Sequence, residues 1–413
     1  AFVTVNEPSV WADTLIQYAV PLWTGGGGAP GPGCGGGGAD VAGLSSGGTG
    51  SFTSGTISGL GSIIVNGIRY NDDNATLISR DDDSPFRGTL KVGMVVSIEG
   101  SSVTAATTTG GTATATASRI SCGSEWKGPV SAINIGSSSF QILGMTVDVL
   151  TNTEFESEVT GRQATQLADL SAGDFVEVHG YVDRTNGHLQ ASRVEVVAPD
   201  LSACKLSGVT TNFDNSAKSF KLQATPPLTS PITWGTDTSI PTGWSNDVFV
   251  RVTLDATTLH ASKISLLTSA LAQLGNGEGR EAEIHGFITS YVSDSNFVVN
   301  GLTVDGTNAR LSPGTLALSK RVEIHGTITN GILVATKIET PNNSDIESRE
   351  FEFHGPVTAV SGSPLTFALR GITFKYDNTT NTHGISLAVG SRIEVKAIRS
   401  ASGWFATDIS ADA

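Results

Sequence analysis

Seven histidines are spread along the chain: His179, His188, His260, His285, His325, His354 and His383. His179 and His325 close the stretches Val-Glu-Val-His-Gly180 and Val-Glu-Ile-His-Gly326, while His285 and His354 each precede a glycine that opens a repeat. Imidazoles beside carboxylates can hold zinc-like cations. A site between neighbouring repeats, such as His325 with His354, is the chemistry this pattern could support. No third ligand stands at metal-site spacing, and the position recurs from repeat to repeat. The expectation is therefore a polar residue flanking a turn glycine, with no metal and no cofactor.

Acidic residues read in the same way. Asp72-Asp73 and Asp81-Asp-Asp83 are clustered acids, but they match no calcium-loop template, so a solvated loop is expected. Glu99, Glu177, Glu323 and Glu394 recur once per repeat. A glycosidase pair would not be copied in every repeat, and these read as outward strand residues that discourage wrong edge pairing. The chain has no Gly-x-Ser-x-Gly elbow, no phosphate-binding Gly-x-x-x-x-Gly-Lys-Ser/Thr and no His-Glu-x-x-His. An enzyme is not expected. The three cysteines, Cys34, Cys122 and Cys204, form no Cys-x-x-Cys, which removes support for thiol redox, zinc-ribbon and c-type haem roles. Cys122 and Cys204 each stand just before a repeat begins, a symmetric place for one disulfide.

Whatever these side chains do, they must be positioned by a repeated element. Ala117-Ser-Arg-Ile120 returns as Ala191-Ser-Arg-Val194, Ala261-Ser-Lys-Ile264, Ala335-Thr-Lys-Ile338 and Ala406-Thr-Asp-Ile409, at intervals of 74, 70, 74 and 71 residues. Such a period means one module copied in tandem. Each module opens on a glycine (Gly55, Gly128, Gly208, Gly286, Gly355) and passes through a strand ending in a residue-Gly step, such as Asn66-Gly67 or Asn300-Gly301. That step is a hairpin or bulge signal. Alternating strands such as Phe175-Val-Glu-Val-His-Gly180 follow, with one face inside. The fold class expected is all-β: five small β-barrel modules, OB-like or barrel-sandwich, spanning 52–122, 123–200, 201–268, 281–340 and 351–413. Stretches 269–280 and 341–350 read as linkers, and end-to-end stacking of five marginal domains gives a rod. Module three departs from the pattern, with Pro226, Pro227, Pro231, Trp234 and Trp244 in its middle.

The pattern Gly55-Thr-Ile-Ser-Gly59, Ile64-Val-Asn-Gly67, Leu90 to Gly93, Ile98-Glu-Gly100 and Ala117-Ser-Arg-Ile120 resembles an uncharacterised family of exported bacterial modules. They are expected to be small tandem β-barrels, common in proteobacterial cell-surface proteins. The resemblance spans roughly 52–411, is weakest in module three, and implies a fold but no catalytic residues. Relatives often begin with a lipoprotein Cys followed by glycines, as in Cys34-Gly-Gly-Gly-Gly38. Pro30-Gly-Pro-Gly33 stands before that Cys in place of an apolar stretch, so a membrane partner is expected only if Cys34 is lipidated.

Charge and composition narrow the partners. A net charge of −14 with 15% charged residues opposes nucleic acid and anionic lipid, and the Ser/Thr/Gly-rich surface looks exported. Residues 25–51 carry 14 glycines and read as a tether. Ahead of them, residues 1–24 are apolar and β-prone but too short to enclose a core. Strand donation to a neighbouring copy through Phe2, Val3, Val5, Leu15, Ile16, Tyr18, Val20 and Trp23 is the function this suggests, giving an extracellular homopolymeric filament. The alternative is a monomeric surface lipoprotein rod that captures a glycan or metal.

Overall fold

The computed structural model describes residues 50–80, 84–106, 112–266, 279–312, 314–341, 351–400 and 402–412. Residues 1–24, the tether through Thr49, Cys34, Asp81–Asp83 and most of both linkers lie outside this set. Twenty-seven strands and two single 3-10 turns, Leu167–Asp169 and Leu201–Ala203, make up the described elements.

Module one holds β1 (Ser51–Leu60), β2 (Ile63–Val65), β3 (Ile68–Asn71), β4 (Thr76–Ser79), β5 (Val95–Gly100) and β6 (Ala113–Cys122). Module two holds β7 (Trp126–Asn134), β8 (Ser139–Ile142), β9 (Met145–Ser157), β10 (Phe175–Asp183) and β11 (His188–Val196). Module three holds β12 (Cys204–Asp214), β13 (Ser219–Leu222), β14 (Ile232–Thr233), β15 (Phe249–Leu254) and β16 (Ala261–Leu266). Module four holds β17 (Glu281–Ser293), β18 (Asn296–Val299), β19 (Leu302–Asp305), β20 (Arg310–Ser312), β21 (Arg321–Thr329) and β22 (Ile332–Glu339). Module five holds β23 (Phe351–Gly362), β24 (Leu365–Leu369), β25 (Ile372–Lys375), β26 (Arg392–Ser400) and β27 (Gly403–Ala411).

Each module closes the same circuit. In module five β23 pairs β24 and β26, β24 pairs β25, β25 runs parallel to β27, and β27 returns to β26. This is the OB barrel order, with the third and fifth strands parallel. Module three closes it through two isolated parallel bridges, Thr233 to His260 and Ser239 to Lys263. Its residue-Gly turn is replaced by the longer loop 223–231, and beyond β14 Trp234 and Trp244 pack with Phe213 and Phe220.

The repeated tetrapeptide is a β-bulge. Its Ala and its Ile or Val are all buried, although residues three apart on a regular strand face opposite sides. One extra residue resolves the conflict. In module four Gly326 pairs with Ala335 and His325 with Lys337, so Thr336 is skipped. The same skip occurs at Ser118, Ser192, Ser262 and Thr407. The hydroxyls of Ser118, Ser262, Thr336 and Thr407 donate to the carbonyls of Glu99, Thr253, His325 and Lys396 across the bulge.

The residue-Gly step is a turn with both residues at positive φ, as at Asn66 (54°) and Gly67 (75°) or Asn300 (50°) and Gly301 (79°). That geometry matches the right-handed twist of its flanking strands. Asn66, Asn300 and Arg370 each turn back to donate to the carbonyl just before the module's opening glycine, those of Ser54, His285 and His354. A Cβ on Gly55 would lie 2.1 Å from Asn66 Oδ1, so the opening glycine makes room for the turn's side chain.

The modules do not stack end to end, which corrects the expected rod. Each leading strand bonds the fourth barrel strand with its first half and the second with its last, so each half offers one further edge. Module one shares those edges with distant modules: Ser51–Ser54 of β1 run parallel to Glu281–Ile284, and Gly59–Leu60 parallel to Glu352–Phe353. Phe52 and Ile78 enter the core of module four, and Val92 that of module five. Modules two and three share one continuous core around Trp126, Phe220 and Trp234.

Candidate functional site

The outer face of module four carries the densest chemistry. On β17, Ala282 and Ile284 point into the core, which places Glu283 and His285 on the opposite face. On β21, Val322 and Ile324 are inside, leaving Glu323 and His325 outside. The bulge brings Lys337 and Glu339 of β22 to that face as well. Register then sets acid against base: Glu283 opposes His325, His285 opposes Glu323, and Glu323 opposes Glu339.

A ring of side chains results. His285 Nε2 lies 3.3 Å from Glu283 Oε1 and 3.3 Å from Glu323 Oε2. His325 Nε2 lies 3.2 Å from Glu323 Oε1, and its Nδ1 lies 3.9 Å from Glu283 Oε2. Lys337 Nζ holds the rim residue Glu339 at 2.9 Å. Glu283, His285 and His325 are 2%, 5% and 3% exposed, because module one covers this seam. Asn66 donates to the Glu283 carbonyl, and burial, with Glu283 nearby, pushes the Tyr70 phenol up to about 12. Burial opposes charge on Glu323, yet His285 and His325 outweigh it and hold that carboxyl well below its usual range. Burial likewise disfavours the His325 cation, but Glu323 and Glu283 prevail and raise its pKa.

The equivalent positions elsewhere are built differently. In module five the nitrogens of His354 lie 2.6 Å from Glu352 and 2.9 Å from Asp412, and Arg69 and Arg392 flank that aspartate at 3.6 and 3.1 Å. His354 and Asp412 are thus paired within the chain, and Glu394 stands beside the same imidazole. In module two His179 is fully buried, and burial, with Arg193 and Arg80 against it, drives its pKa down to about 3.

A second feature lies where modules one to four converge. Tyr181 stacks edge-on against Phe287 over Val95. Beside them a cavity of about 70 Å³ is lined by Ser97, Arg80, Glu125, Arg251 and Thr289 among others. Glu125 ties three modules together, with Ser207 donating at 2.5 Å, Arg251 at 3.0 Å and Arg80 at 3.4 Å. Such a space holds a water or two and falls well below the roughly 300 Å³ at which organic ligand sites begin.

A family model described as a domain of unknown function, DUF5666, matches residues 52–116, 127–195, 285–339 and 354–410, more than half of the sequence. The chain belongs to this family. Module three is unmatched by the DUF5666 model, although it closes the same circuit. No curated protein matches the chain. Among solved structures it is similar to a Drosophila chain described as Unr CSD456, at 16% identity over 52% of this chain and 99% of that one, with a TM-score of 0.12. It is also similar to a Streptococcus pneumoniae multidomain protein with nucleic acid binding domains, at 12% identity over 58% and 76%, with a TM-score of 0.16. Neither overlap is close enough to carry an argument.

Against this frame several sequence expectations change. The disulfide is not formed: Cys122 and Cys204 are free buried thiols in separate cores, one in that of module one beside Met94, the other in the joint core of modules two and three. Burial pushes both thiols up, Cys122 to about 12 and Cys204 to about 11. His325 and His354 belong to separate clusters rather than one site between modules. Glu99, Glu177 and Glu323 do not guard an open edge, because their strand is paired on both sides. Each meets a base instead: Arg280, Lys127 and the two imidazoles. Phe2, Val3, Val5, Leu15, Ile16, Tyr18, Val20 and Trp23 lie outside the described residues. The junction residues Tyr181, Phe287 and Glu125 were not foreseen, since nothing local marks contacts between modules so far apart in the chain.

Proposed function

We propose that the chain is an exported, non-catalytic structural subunit that joins copies of itself through residues 1–24 into a filament. The observation that carries this reading is that all five barrels complete their strand circuits within residues 51–411. The apolar leading segment is not needed to close any of them. Outer halves of leading strands offer edges to such a segment: β23 beyond Pro356 pairs with β24 on one side, and Val360 and Leu365 are exposed on that hairpin. Main-chain bonds to an edge, with apolar side chains seated alternately, are how strand addition gains affinity. The cavity at the junction is too small for an organic substrate, which favours a structural over a catalytic role.

Deletion of residues 1–24 tests this. Light scattering of the purified full chain should show large, polydisperse assemblies, and the deletion should reduce them to a single monomer-sized species. An unchanged mass distribution rules the reading out. The second reading, a monomeric surface lipoprotein anchored at Cys34 that captures a glycan or metal, draws for its metal on the imidazole–carboxylate ring of module four. It requires a diacylglycerol adduct on Cys34, which mass spectrometry reads directly.

A further inference from the structure

We propose that the outer face of the fourth barrel binds a divalent transition-metal ion of the zinc class, with Glu283, His285 and Glu323 as its protein ligands. The inference is independent of how the chain assembles.

Distance is the first argument. Ligand bonds of 2.0–2.1 Å in a tetrahedral site place neighbouring ligand atoms about 3.3 Å apart. The contacts from His285 Nε2 to Glu283 Oε1 and Glu323 Oε2 are each 3.3 Å, and one ligand atom from each of the three residues lies within 4.8 Å of the others. Charge-assisted hydrogen bonds run shorter, about 2.7–2.9 Å, as at His354 in module five, where the contacts are 2.6 and 2.9 Å. The same residue types are therefore drawn closer together in module five than in module four, where the looser contacts match ligand spacing.

The second argument is an unmet valence. Glu283 Oε2 and His325 Nδ1 are buried atoms without a hydrogen-bond partner, 3.9 Å apart and facing each other. Their residues are 2% and 3% exposed, and a buried carboxylate oxygen left unpaired is costly. A cation held by the Glu283 carboxylate offsets that cost. In module five Glu352, His354 and Glu394 form a similar group, but His354 is already paired with Glu352 and Asp412 at 2.6 and 2.9 Å. An imidazole with two carboxylates selects zinc, nickel, copper or iron(II) over calcium or magnesium, which prefer all-oxygen cages. Glu339, a third exposed at the rim, leaves a route of entry.

The test is a metal titration of the untagged full-length protein after chelator treatment. Cobalt(II) should give the intense visible band of a four-coordinate site, saturating near one equivalent and abolished by zinc. Glu323→Gln and His285→Gln should each weaken zinc at least ~10-fold to 100-fold, while His354→Gln should leave it unchanged. Circular dichroism confirms that each variant is folded. A folded wild-type protein that takes up neither metal, or a folded Glu323→Gln that binds as tightly as wild type, overturns the assignment.

Discussion

Histidines beside a module glycine, His179 and His325 on the fourth barrel strand and His354 on the leading one, meet three different environments. His179, His325 and His354 all precede or sit beside a module glycine, yet His179 is held neutral, His325 is drawn toward its cation and His354 is clamped between two acids. The sign of the pH effect follows for His179, whose folded pKa of about 3 lies below its ordinary 6.5. Above pH 6.5 both states are neutral and stability is full. As pH falls below 6.5 the unfolded chain takes up a proton that the folded chain refuses, so stability declines until pH reaches about 3. The slope approaches ~1.4 kcal/mol per pH unit. Between pH 7 and 5, urea unfolding of wild type should lose about 2 kcal/mol more than His179→Gln. Equal losses would show that His179 is protonated in the fold. The period alone made the equivalence of His179 and His325 legible. The differing fates of all three histidines were not, because Arg193, Asp412 and Glu283 reach them from other strands.

Two small devices make the barrel strands. The bulge lets Ala and Ile or Val three apart share one core, and the positive-φ turn lays its side chain across the opening glycine. The turn was readable from Asn66-Gly67 and Asn300-Gly301. The bulge was not, since a recurring tetrapeptide says nothing of pairing until its partner strand is known. Gly55→Ala should place its Cβ 2.1 Å from Asn66 Oδ1 and cost about 1–3 kcal/mol. Asn66→Gly in the same chain should recover part of that loss by removing the obstructing amide. A double-mutant cycle reads the coupling, and strictly additive losses would contradict the contact.

At the scale of the molecule, module one is the hub. It bonds to modules four and five through β1 and to module two through the Lys91-Val-Gly93 turn. Arg193 of β11 donates to the Val92 carbonyl, Ser192 donates to that of Gly93, and Lys91 reaches Glu195 at 2.7 Å. Ser192 is thus the one bulge hydroxyl turned from its own barrel to a neighbour. Modules two and three share a single core, unlike the others. A fragment spanning residues 123–268 should therefore fold alone and melt in one cooperative transition, whereas one spanning module one alone should not, having lost the strands along β1. Calorimetry checks both. Two separate transitions in the 123–268 fragment would show that its halves are independent.

By itself the sequence determined the copy number, the β class and the turn chemistry, because the first is written in a recurring tetrapeptide and the others are set by spacing and φ preference within about ten residues. Only the tertiary structure decided which copies touch, which histidine meets which acid, and that two thiols placed alike end in separate cores. Those outcomes depend on strand edges paired across more than two hundred residues, such as Ser51 with Glu281. No local pattern encodes a partner that far away.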